Sequence, residues 1–122
     1  MLLAWIGITG PVLSEGARFD LLCETVTRCD PSGACSGHAG ATHFVLEPEG
    51  VDGDGVGFYT MWIGDGPALS ARGMSRTGPF AWAPPEGGHM VLSLTSEASA
   101  IWTRRSAQGA GHIDIMTCEV TF

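Results

Sequence analysis

Phe19-Asp-Leu-Leu-Cys-Glu-Thr-Val-Thr-Arg-Cys-Asp-Pro-Ser-Gly-Ala-Cys35, answered at the far end by Thr117-Cys-Glu-Val-Thr121, decides the fold. Residues 18–27 alternate, with Phe19, Leu21, Cys23 and Thr25 on one side and Arg18, Asp20 and Glu24 on the other. A period of two with one polar side is a half-buried strand. The four cysteines allow three pairings. The preferred set is Cys29–Cys35, which closes a short turn containing Pro31 and Gly33, with Cys23–Cys118, which ties the first strand to the last. The rival is a metal site built from Cys23, Cys29, Cys35, His38 and His43. Their spacing lacks the C-x2–4-C knuckle that lets two thiolates of one tight turn reach one ion. Disulfides are therefore the expectation.

Working outward, the 18 glycines and 7 prolines interrupt the chain every few residues and leave little room for helices. Strands are expected at Thr42–Pro48, Gly57–Ile63, Ala68–Arg76, Phe80–Ala83, His89–Thr95, Ser99–Arg105 and Ile113–Phe122. Ser36–Gly40 reads as loop, Glu49–Val56 as a glycine-rich turn, and Ser96–Ala100 as at most one helical turn. Eight short strands at roughly ten-residue spacing predict an all-β domain, an antiparallel eight-stranded up-and-down barrel or alternatively a β-sandwich. Sequential hairpins favour the barrel, in which first and last strands touch and Cys23 meets Cys118.

A chain of 122 residues is one domain, placed at 17–122. Residues 1–16 are an apolar run, Met1 to Leu13, followed by small residues, and read as a signal-peptide remnant or an apolar N-terminal segment. No stretch predicts an integral membrane span. Six arginines, no lysine and 13 acidic residues give a net charge of −7. That balance argues against nucleic acid as a partner, because it offers no cationic footprint for phosphates. Disulfides together with the leader predict a periplasmic or secreted protein.

No catalytic set emerges from the sequence, no cofactor motif is present, and a non-enzymatic role is the expectation. Asp52-Gly-Asp54-Gly-Val56 superficially resembles a calcium loop, but Val56 and Ile63 stand where oxygen ligands are required, so a hairpin turn is expected. Ser36, Ser70, Ser75 and Ser93 lie in no G-x-S-x-G elbow, and His38, His43, His89 and His112 read as surface or edge residues. Asp20, Glu24, Asp114 and Glu119 fall on the terminal strands and read as exposed charges. Arg72, Arg76, Arg104 and Arg105 are the cationic concentration; if they converge, they could recognise a carboxylate. Phe58, Trp62, Phe80, Trp82 and Trp102 alternate with small or polar residues and are the candidate ligand-binding set. An eight-stranded barrel either packs full or holds one small ligand, so these rings plug the interior or line an apolar pocket.

The run Phe19–Cys35, with Gly78-Pro-Phe-Ala-Trp82 and the ending Thr117–Thr121, resembles a group of small exported proteobacterial proteins of unknown function. The resemblance implies an exported, disulfide-bonded domain and no chemistry. A second, architectural likeness is to periplasmic inhibitors of C-type lysozyme, small eight-stranded barrels that present a serine-containing loop. Ser96-Glu-Ala-Ser-Ala100 stands in a similar place, without that family's Ser-Gly loop or tyrosine-rich signature. The expected function is a binding module for a small hydrophobic ligand or a protein surface. The alternatives are a periplasmic inhibitor or envelope accessory subunit, and a Cys/His metal-binding protein.

Overall fold

The computed structural model describes residues 18–122, so the expected leader at 1–16 lies outside the described residues. Eight strands follow in chain order: β1 (Phe19–Cys29), β2 (Cys35–Val51), β3 (Gly57–Ile63), β4 (Leu69–Gly73), β5 (Phe80–Trp82), β6 (His89–Ser96), β7 (Ser99–Arg105) and β8 (Gly111–Thr121). They form one closed barrel, each paired antiparallel with its neighbours in sequence and β1 with β8. The barrel, not the sandwich, is the fold. Closure pairs each strand with two neighbours and confines unpaired edge to lengths that overhang a shorter neighbour.

The seam register places Cys23 opposite Cys118, and the first hairpin places Cys29 opposite Cys35; both pairs are disulfides. All four sulfurs are therefore paired, and none is left as a thiolate for the Cys/His set of the metal alternative.

Inward positions fill the barrel in layers. Phe19, Tyr59 and Phe80 pack at the end where β1 begins and β8 finishes, with Phe80 edge-on to Tyr59 at 5.0 Å between ring centres. Leu21, Phe44, Met61, Leu92 and Met116, all inaccessible or nearly so, make the middle. Trp102 stands edge-on to Phe44 at 5.0 Å and begins the opposite end. The aromatic plug was one of the two expected forms, and these rings pack in geometries that aromatic pairs favour. Gly73 makes room for it: a Cβ there would sit 2.5 Å from Tyr59 Cε1 and 3.0 Å from the Phe80 ring.

Expected boundaries shift at several strand ends; β4 stops at Gly73 rather than Arg76 and β8 begins at Gly111 rather than Ile113. Ser36–Gly40 is strand, not loop, held by pairing with β1 from Thr25↔Gly40 to Arg28↔Ser36. Its glycine and serine content mimics a loop, but the Cys29–Cys35 clasp keeps the hairpin extended. Ser96–Ala100 is a tight β6–β7 turn, and no helix occurs among the described residues. β2 runs past Pro48, which lies beyond the last β1 partner at Leu46 and just before a register shift against β3, an edge position that proline tolerates. The Asp52 turn is a hairpin as expected, with Oδ1 accepting from the backbone N–H of Asp54 and Val56.

Candidate functional site

The two barrel ends differ in chemistry. The β2–β3, β4–β5 and β6–β7 turns share the end with the apolar floor. The β1–β2, β3–β4, β5–β6 and β7–β8 turns share the other end, called the mouth here. The innermost layer at the mouth is ionic.

Asp114 supplies its centre. Cys118 must face Cys23 across the seam, so the period of two turns Met116, Asp114 and His112 inward and Ile113 and Ile115 outward. Asp114 is 0% exposed. Arg28 reaches it from β1 through a bulge. Thr25 is opposite Met116 and Thr27 opposite Ile115, so Val26 is an extra residue that flips the strand's parity and brings Arg28 directly opposite Asp114. Arg28 Nε donates to Asp114 Oδ1 at 2.7 Å and Nη2 to Oδ2 at 3.1 Å. From β7, Arg104 Nη2 donates to Oδ2 at 2.6 Å, while its guanidinium lies 3.6 Å from the Trp102 ring centre. One carboxylate thus pairs with two guanidiniums, one of them stacked on an aromatic face.

The electrostatics follow from that packing. Burial alone would raise the Asp114 carboxyl; hydrogen bonds from Arg28 and Arg104, and their charges, outweigh it and hold the pKa below the ordinary value. His112 Nε2 is 3.9 Å from Asp114 Oδ1, too far for a hydrogen bond. Burial, then the charges of Arg104 and Arg28, push the imidazole pKa down, and the layer favours its neutral form. The indole Nε1 atoms of Trp82 and Trp102, Arg104 Nε and His112 Nε2 are buried without a hydrogen-bond partner among the described residues.

Above this layer the surface is concave. A depression of about 440 Å³ is lined by Pro84, Met90, Arg104, Ala107 and His112. A second, of about 340 Å³, lies between Pro31, Arg104, Gly109 and His112. A third, of about 290 Å³, is apolar, with Ile63, Pro67, Leu69, Trp82, Pro85 and Met90 among its walls. The backbones of β7 and β8 approach closely at the rim: a Cβ on Gly111 would stand 2.1 Å from the Arg104 carbonyl oxygen.

The sequence-expected ligand set divides. Phe80, Trp82 and Trp102 point inward and are buried. Phe58, 52% exposed, and Trp62 sit on the outer face, because Tyr59 and Met61 take the inward positions of β3. The arginines do not converge either. Arg72 lies over Phe58 on the outside, and Arg76 Nη2 donates to the Gly53 carbonyl oxygen at the floor end. Arg104 and Arg105 border the mouth. Arg28, which the sequence does not single out, and Asp114, read as an exposed charge, form its core. Comparison with known protein families, curated proteins and solved structures finds no match for this chain.

Proposed function

We propose that the chain is a non-catalytic binding module, working outside the reducing cytosol, that takes a small, mainly apolar ligand at the barrel mouth. The observation that carries this reading is the grouping of concave surface at one end, where Trp82, Met90 and the prolines of 84–85 adjoin the Arg104 and His112 edge of the ionic layer. Ligand sites are typically apolar clefts with a few polar groups, often at the mouths of barrels. The filled interior favours the rim over the centre as the place of binding. A non-catalytic role is supported by Asp114, whose carboxylate is saturated by two arginines and hidden from solvent, poor placement for a general base. Two disulfides support an oxidising compartment, periplasmic or extracellular.

Titration with a panel of hydrophobic dyes and small amphiphiles, read by tryptophan emission, tests the reading. Trp82 is the expected reporter, so the response should be lost in Trp82→Phe and kept in Trp62→Phe. Silence across the panel, or a response carried by Trp62, rejects the mouth as the site. An inhibitor-like use of the β6–β7 turn has less support. Its hydroxyls are engaged with one another, Thr95 and Ser96 each 2.7 Å from Ser99 Oγ.

A further inference from the structure

The barrel is closed along only part of β2. Pairing with β1 runs from Leu46 to Cys35, whereas pairing with β3 ends at Phe44↔Ile63, where the chain turns away with Gly64 N–H donating to the His43 carbonyl oxygen. The stretch Cys35-Ser-Gly-His-Ala-Gly-Ala-Thr42 therefore pairs on one side only among the described residues, and residues 35–41 are exposed. Unpaired strand edges are ordinarily blunted by lysine, proline or shortness. This one has neither residue, and its sole titratable side chain is His38. A bulge sets His38 and Ala39 against Val26 alone, which bends the strand but leaves Gly40–Thr42 in regular register. The Cys29–Cys35 disulfide and the Asp30 turn, whose Oδ1 accepts from the N–H of Ser32 and Ala34, fix the hairpin in extended form.

Beside that edge runs a groove of about 600 Å³ on the outer face of the seam. Its floor is β1, with Leu22 50% exposed between His43 and Glu119, and Glu24 between Ala41 and Thr117. It is concave because Ala41, Gly64 and Thr117 are small. Neither Glu24 nor Glu119 has a salt-bridge partner among the described residues. Val26 and Ile115, both exposed, prolong the apolar strip along the seam.

We propose that the open edge of β2 and this groove together dock an extended, positively charged segment of a partner protein by strand addition. The edge supplies main-chain hydrogen bonds, the groove supplies side-chain selectivity, and the two tasks are separable in this mode of recognition. Strands lie about 4.8 Å apart, so an added strand sits roughly 10 Å from β1. Only the methyl group of Ala41 stands between it and Glu24, a gap a lysine or arginine spans. A net charge of −7 sets a second copy of this chain against such pairing and a basic partner in its favour. The surface is distinct from the mouth, and either can fail alone.

The test uses a peptide of alternating lysine and valine as probe, with amide NMR shifts for location and calorimetry for affinity. Shifts are expected at Ser36–His43 and Leu22 and not at Met90 or His112. Glu24→Gln with Glu119→Gln, both exposed and neutral to folding, should weaken binding about tenfold, equivalent to roughly 1.4 kcal/mol. Methylating alternate backbone nitrogens of the probe should abolish it, as a strand-pairing mode requires. Equal binding of a control peptide with glutamate in place of every lysine, shifts confined to the mouth, no shifts at all, or concentration-dependent self-association through this edge would each overturn the proposal.

Discussion

Asp114 governs the chemistry of the mouth because it is the carboxylate that both Arg28 and Arg104 need. Removing one member of a fully buried ion pair generally costs about 3–5 kcal/mol; here Asp114 is buried but Arg28 and Arg104 keep part of their surface in water, which sets that range as the upper limit. Asp114→Ala is expected to lower the unfolding free energy by about 2–4 kcal/mol in urea titrations; a loss under about 1 kcal/mol, the worth of an exposed pair, would show that the triad is not shielded. The pH dependence follows from two depressed pKa values. Asp114 titrates in the folded state below its ordinary value of 3.8, so its stabilisation is complete above that pH and is lost as pH falls through the folded pKa. His112 is depressed from 6.5 by burial and by Arg104 and Arg28, against the opposing pull of Asp114, with His38 adding a small push. The unfolded chain takes that proton first, so stability is full above about pH 6.5 and declines as pH drops below it. Thermal melts across pH should show the decline beginning near neutrality in the native protein and only at carboxylate pH in His112→Asn. Superimposable profiles would remove His112 from the account.

At the scale of single elements, alternation in sequence locates strands well and assigns their faces less well. On β1 the pattern Phe19, Leu21, Cys23, Thr25 was legible and is buried as read. Beyond Thr25 the bulge reverses parity, and no residue in Val26-Thr-Arg28 announces it. Arg28 consequently looks outward in the sequence and is inward in the fold. On β8 the isoleucines at 113 and 115 disguise the polar inner face of His112 and Asp114. The signal that would have exposed it is Cys118, whose partner across the seam fixes the parity of the whole strand. On β3 the choice between Phe58 with Trp62 and Tyr59 with Met61 turns on a neighbour. Gly73 of β4, opposite Phe80, leaves a hollow that the Tyr59 ring fills, with its hydroxyl donating to the Gly55 carbonyl oxygen at 2.7 Å. Gly73→Val would drive a branched Cβ and its two methyl groups into the Tyr59 and Phe80 rings. Overpacking of that kind costs about 1–3 kcal/mol, and equilibrium denaturation should show it, along with a loss of near-ultraviolet dichroism from the displaced aromatics. An unchanged midpoint would mean that the floor layer yields without strain.

For the molecule as a whole, topology was legible because the connections are short and consecutive: eight strands in sequence order need no long crossover. What closes the figure is the β1–β8 seam, the pairing of greatest sequence separation and hence the greatest loop-closure cost. Cys23–Cys118 spans 95 residues and constrains that closure in the unfolded chain; Cys29–Cys35 spans 6 and constrains a hairpin that local pairing already makes. On the chain-entropy model the long bridge contributes roughly 4–5 kcal/mol and the short one roughly 2. Against a total of about 5–15 kcal/mol for a domain of this kind, the first is a large share. Cys23→Ser with Cys118→Ser should therefore produce a global loss of stability, read as a lower denaturation midpoint by every probe. Cys29→Ser with Cys35→Ser should act locally, raising amide exchange across residues 30–42 while the apolar core holds its protection. The difference has a functional edge, since the short bridge stiffens the mouth-end length of β2, which pairs with β1 alone among the described residues. If instead the short-bridge variant melts globally and the long-bridge variant only frays, the seam is not what holds the barrel shut, and the hairpin is part of its folding core.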